Sequence, residues 1–122
     1  MAKNKISVII TDLDNTLFDW VDIWYKSFRA MEEKILEISG IKEDKLLNEI
    51  KQVFIKHGTT EYSMLIEELN CLKEKHPEQD IKQLYKEAII EYNIARKKAL
   101  RLYPSVMETL LTLKEYDPKL ET

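Results

Sequence analysis

The sequence predicts a mostly helical α/β chain: one buried strand, a block of four helices, and one further helix. Three observations predict it. Ile6-Ser7-Val8-Ile9-Ile10-Thr11 is β-branched almost throughout, and a run apolar on both faces suits a strand of a parallel sheet flanked by helices. Beyond Trp20, apolar residues recur at steps of three and four in four successive stripes, the period of buried helix faces. Glycine is scarce at two residues and proline at three, whereas sheets joined by tight turns use more of both.

The strand ends in a polar cluster, Asp12-Leu13-Asp14-Asn15-Thr16, followed by Leu17-Phe18-Asp19-Trp20. Carboxylates delivered at the C-terminal end of a strand lie on the edge where open α/β sheets bind ligands. The first helix carries Trp24, Phe28, Met31, Ile35 and Ile38 and stops at Gly40, a left-handed closing residue. The second carries Leu46, Leu47, Ile50, Val53 and Phe54 and stops at Gly58. A third reads Tyr62, Leu65, Ile66, Leu69 and Leu72, and ends before Pro77. The fourth and longest reads Ile81, Leu84, Tyr85, Ala88, Ile89, Tyr92 and Ala95.

Tyr103-Pro104 interrupts the pattern, because proline disfavours helix in the residue before it. Ser105-Val106-Met107-Glu108 has the spacing of a capping box, so a last helix is expected to start there. Its inner face is Val106, Leu110 and Leu113, with Leu111 beside it, and its end is near Tyr116. The organisation is therefore strand and loop over 1–19, helical block over 20–100, and return linker with one helix over 101–122. A lone strand leaves backbone groups unpaired, and sheets take three or more strands. More chain or a partner is expected to complete it.

With 19 basic and 22 acidic residues interleaved, the net charge is −3. Nucleic acids and anionic membranes attract clustered positive charge, so neither is an expected partner. The N-terminus lacks the apolar stretch of a secretory signal, and no segment approaches the roughly 20 apolar residues of a membrane span. Cys71 is the only cysteine, so a reducing cytoplasm is the expected location.

Asp12, Asp14 and Thr16 carry the chemistry. Carboxylates at i and i+2 repel one another unless a cation or donors hold them, and oxygen ligands at this spacing suit Mg²⁺. An aspartate beside such an ion can attack phosphorus. A neighbouring acid can protonate the leaving oxygen and then activate water if its pKa is tuned upward. Turn or helix capping is the plainer role for such aspartates; the preceding strand and Thr16 favour chemistry. An EF-hand fails, because its glycine and glutamate positions hold Leu17 and Ile23.

The stretch from Val8 to Leu17 resembles the first motif of the haloacid dehalogenase superfamily, Asp-x-Asp-x-Thr after a strand. The resemblance implies a Rossmann-like core whose first strand is present here, with the helical block as an inserted cap. It implies that Asp12 is the nucleophile and an Mg²⁺ ligand. Asp14 would be general acid and base and give the metal its backbone carbonyl, while Thr16 orients the loop. An aspartate at position 14 is similar to the phosphatase and phosphomutase branches; dehalogenases lack that acid, and transport ATPases usually carry threonine there. Leu102-Tyr103-Pro104-Ser105-Val106 resembles the return to the core, where glycine is commoner than Ser105. The family's later Ser or Thr, Lys or Arg, and acidic pair have no counterparts before Thr122, so the chain reads as an N-terminal part and is not expected to be active alone.

The expected function is an Mg²⁺-dependent phosphatase acting on a small phosphorylated metabolite, a nucleotide or a sugar phosphate. The alternatives are a phosphomutase and a non-catalytic helical interaction module. Phe18, Asp19 and Trp20 adjoin the loop and are expected either to touch substrate or to pack the hinge. Trp24 and Tyr25 are expected in the cap core, and His57 and His76 at helix ends. Cys71 reads as an inert buried thiol, and Arg96, Lys97, Lys98 and Arg101 as complements to a helix C-terminus. Neither the metabolite nor the oligomeric state is written in a motif.

Overall fold

The structure, a computed structural model, describes residues 8–115 and 119–121. Expectations for residues 1–7, 116–118 and 122, including the start of the strand and the end of the last helix, lie outside the described residues. The chain is mostly helical. Strand β1 (Val8–Ile10) is followed by helices α1 (Trp20–Ser39), α2 (Glu43–His57), α3 (Leu65–Glu68), α4 (Asn70–Lys75), α5 (Ile81–Leu84), α6 (Lys86–Ala99) and α7 (Val106–Glu115). Strand β2 (Lys119–Glu121) then lies parallel to β1, pairing Val8 with Lys119, Ile9 with Leu120 and Ile10 with Glu121.

Local chemistry explains the two long helices. Asp19 caps α1 by accepting from the Asp22 amide at 3.0 Å, which satisfies one of the free amides of a helix start. Gly40 closes α1 with φ 68°, and its amide donates to Leu36. Gly58 closes α2 the same way at φ 67°. Helix α2 also has Glu43 and Asp44 in its first turn and Lys56 and His57 in its last, the arrangement that complements the helix dipole. Arg29 bonds Glu32 at 3.0 Å and Glu43 at 3.2 Å, tying α1 to the start of α2.

The third and fourth helices of the sequence-based expectation are each broken in two. Leu69 takes an extended backbone (ψ 112°) between α3 and α4. Its side chain is nevertheless fully buried, and the freed Cys71 amide donates to the Glu49 carboxylate at 3.0 Å. Tyr85 leaves helical geometry between α5 and α6. It also is fully buried, with its hydroxyl 2.8 Å from His76 Nε2. At both breaks a large side chain of the expected stripe stays buried. The reset of register leaves Leu84 and Ile89 exposed although the uninterrupted stripe predicts them inside.

The core gathers Phe28, Met31 and Ile35 of α1, Leu46 and Ile50 of α2, and Leu65, Leu69, Leu72, Ile81, Tyr85 and Ala88 from the later helices. Helix α6 packs along α1. Trp24 packs on this core half-buried, whereas Tyr25 points outward, contrary to expectation, because it lies on the flank of the α1 stripe rather than at its centre.

Two further expectations are corrected. The strand is not covered on both faces: Val8 is 43% and Ile10 78% exposed, since β2 is the one element among the described residues that pairs extensively with β1. Helix α7 starts next to Ser105 as expected, but Ser105 has φ 68°, which is left-handed rather than the extended backbone of a capping-box residue. Val106, Leu110 and Leu113 are half-buried, and Leu111 is exposed.

Two stability measurements test this packing. Ile35→Ala, at a fully buried site, should lower the unfolding free energy by about 2–5 kcal/mol in urea titration. Ser105→Gly should raise it by about 0.5–1 kcal/mol, because removing a left-handed penalty of about 1–2 kcal/mol outweighs glycine's added chain entropy.

Candidate active site

The loop after β1 is a tight turn held by its own backbone. The Leu13 carbonyl accepts from the amides of Thr16 (3.3 Å) and Leu17 (3.1 Å). Asn15 sits at φ 57°, a left-handed backbone that asparagine tolerates better than most residues. Its side-chain oxygen accepts from the Trp20 amide at 2.8 Å, fastening the loop to the first turn of α1. The Thr16 hydroxyl donates to Asp12 Oδ2 over a long 3.4 Å, and the Thr11 hydroxyl to the Asp12 carbonyl at 3.0 Å. Asp12 and Asp14 are both exposed at this turn.

The return segment meets the loop. The Tyr103 amide donates to the Leu17 carbonyl at 2.7 Å, and Phe18 bridges antiparallel to Leu102. The two connections into and out of the helical block are thus bonded to each other. Phe18, nearly fully buried, is packing at this junction, and Asp19 spends a carboxylate oxygen on its helix cap. Trp20 stacks on Trp24 at 6.2 Å, and its indole N–H donates to Glu61 Oε1 at 2.9 Å.

Between loop and helices lies a cavity of about 210 Å³, lined by Asp14, Phe18, Trp20, Ile23, Trp24, Glu61, Tyr92, Arg96 and Leu100. Larger open grooves of about 740 and 600 Å³ exist, but neither is lined by Asp12 or Asp14. The smaller, more enclosed cavity therefore has the better claim to chemistry. Of the residues singled out from the sequence, it gathers Asp14, Phe18 and Trp20; Asp12 and Thr16 stay on the loop beside it, and Asp19 faces the 600 Å³ groove. Burial, then the nearby Glu61 carboxylate, raises the Tyr92 phenol above its ordinary value and keeps it protonated.

Sequence reasoning did not place Glu61 at this site, and it assigned Trp24, Tyr92 and Arg96 to core stripes or a helix end. No local signal marks them, because they reach Asp14 only through the packing of α6 on α1 and the fold of the loop after Gly58. That loop is anchored twice: the Thr60 carbonyl accepts from the Trp24 indole at 3.0 Å, and Tyr62 is held by Glu68. Glu68 accepts from the Tyr62 hydroxyl at 2.7 Å and bonds His57 at 2.9 Å, while the His57 and Tyr62 rings stack at 3.7 Å.

Magnesium commonly takes one or two protein carboxylates and fills its other positions with water or substrate oxygens. On this loop Asp12 and Asp14 offer oxygens for such a partial set. No group of three or more His, Cys, Asp and Glu is assembled for a metal among the described residues, so further ligands would come from water or beyond this set. No helix of the described residues is long and apolar enough to cross a membrane. Compared with protein-family models, curated proteins and solved structures, the chain matches none.

The clamp on the Glu61 loop has a pH signature. Hydrogen bonds from His57, then Tyr62, hold the Glu68 carboxyl below its ordinary value of 4.5. A native pKa below the unfolded one contributes stability that is complete above 4.5 and is lost as pH falls through the lowered native value. Glu68→Gln should therefore lose less stability than the parent chain between neutral and acid pH, as read by thermal melts across that window.

Proposed function

We propose that this chain is the N-terminal part of an Mg²⁺-dependent phosphatase of the haloacid dehalogenase superfamily, acting in the cytoplasm on a small phosphorylated metabolite. The observation that carries this reading is the loop itself: Asp12 and Asp14 follow a strand, the Thr16 hydroxyl reaches the Asp12 carboxylate, and Asp14 lines a cavity under the helical block. Three features support it. β1 and β2 pair in parallel, as the start of a Rossmann-like sheet requires. The helices from Trp20 to Ala99 enter and leave through adjacent connections, as an inserted cap does. Ser105 has the left-handed backbone that explains the superfamily's commoner glycine at the return to the core.

The chemistry follows from the two carboxylates. The Asp12 carboxylate attacks phosphorus, the bond from phosphorus to the ester oxygen breaks, and Asp14 gives its proton to the departing alcohol. Asp14, now a base, takes a proton from water as that water attacks the aspartyl-phosphate, freeing phosphate and restoring Asp12. The Asp12 carboxylate and the Asp14 carbonyl would hold Mg²⁺, which when bound offsets the repulsion between carboxylate and phosphate. Thr16 keeps Asp12 aimed. Net charge −3 with interleaved signs gives no basis for a nucleic-acid substrate.

A second reading, a helical interaction module without catalysis, is favoured by the exposed Val8 and Ile10. One assay separates them. The protein encoded by the complete reading frame should hydrolyse an aryl phosphate with Mg²⁺. Asp14→Asn should slow it by about 10²–10⁴-fold, and Asp12→Asn should abolish it. Full activity in Asp12→Asn would sink the phosphatase reading, and no hydrolysis by the parent protein would favour the interaction module.

A further inference from the structure

The cavity beside Asp14 carries information about the leaving group that the loop does not. Its volume, about 210 Å³, is of the size that holds one sugar ring with its hydroxyls. The walls are flat and apolar where Trp20 and Trp24 stack, a surface for the C–H face of a ring. Polar groups are few and of both kinds. Glu61 spends one oxygen on the Trp20 indole and keeps the other as an acceptor. Arg96 offers guanidinium donors, and it is in no ion pair within the described residues. Tyr92 contributes a hydroxyl.

Charge completes the picture. Two carboxylates, Asp14 and Glu61, line the cavity against the single cation Arg96. With Asp14 holding the proton it gives the departing alcohol, Glu61 and Arg96 balance, so an anionic leaving group finds no excess positive charge there, whereas a neutral polyol meets both donors and acceptors.

We propose that the cavity formed by Asp14, Trp20, Trp24, Glu61, Tyr92 and Arg96 binds the leaving group of the phosphatase and selects a neutral, hydroxyl-rich single ring, making the substrate a sugar phosphate. The catalytic part of this proposal rests on the phosphatase reading; the binding part does not. Arg96 and Glu61 are the specificity residues, the first by donating to ring hydroxyls, the second by accepting from them and by repelling acids.

The chain contains its own reporter, because its only two tryptophans both line the cavity. The 122-residue chain is titrated without Mg²⁺ with glucose, with ribose and with phosphoglycerate, following tryptophan emission. At least one neutral sugar should give a saturable change, with phosphoglycerate weaker by about tenfold or more. Arg96→Ala, at an exposed position and checked for helix content by circular dichroism, should weaken the sugar by about tenfold. Glu61→Gln should narrow the gap between sugar and phosphoglycerate. The proposal is overturned if neither sugar gives a saturable change, if phosphoglycerate binds as tightly as the sugars, or if Arg96→Ala, correctly folded, binds sugar unchanged. No arm breaks a bond, so sugar binding without aryl phosphate hydrolysis counts against the phosphatase alone. Hydrolysis without sugar binding counts against the sugar site alone.

Discussion

The backbone bond from the Tyr103 amide to the Leu17 carbonyl, with Phe18 bridged to Leu102 beside it, is the constraint on which the architecture turns. It joins the two ends of a long helical excursion. Closing a loop costs entropy that grows only slowly with its length, so the excursion can be large provided its ends are held. The packing of α6 along α1 holds them. The start of α1 and the end of α6 then flank one space, and the loop bearing Asp14 closes it.

Around that junction the backbone departs from ordinary conformations. Asn15 and Ser105 are two of the three non-glycine residues with positive φ among the described residues. Asn15 gains a bond to the Trp20 amide in return. Ser105 starts the turn into α7, where the Thr109 amide donates to its carbonyl at 2.9 Å. Strain of this kind persists where the surrounding structure over-determines it, and here both residues adjoin the connections that carry the chain between strand and helices.

The helical block has a core of its own, with Ile35, Leu46, Leu69, Leu72 and Tyr85 fully buried, whereas the β1–β2 pair does not. Two three-residue strands with Val8 and Ile10 exposed cannot bury enough apolar area to stand alone. The two halves of the molecule are thus unequal in what secures them: burial in one, pairing and the junction in the other. The candidate cavity lies at their seam, lined by Asp14 of the loop and by residues of α1, α6 and the loop after Gly58.

Features under short-range control are legible in the residues themselves. The C-terminal ends of α1 and α2 follow from Gly40 and Gly58, and the carboxylate loop follows from Asp12, Asp14 and Thr16 after an apolar strand. Period alone could not foresee the breaks at Leu69 and Tyr85, since each is set by burial of a side chain and by bonds to Glu49 and His76 on other elements. Nor could it foresee the exposure of Ile10, because an apolar run reports a preference for cover and not whether cover is present. That Glu61 and Arg96 share a cavity with Asp14 is a product of long-range packing. Their encounter depends on how α6 lies against α1, and a residue's chemistry carries no record of neighbours so distant in the chain.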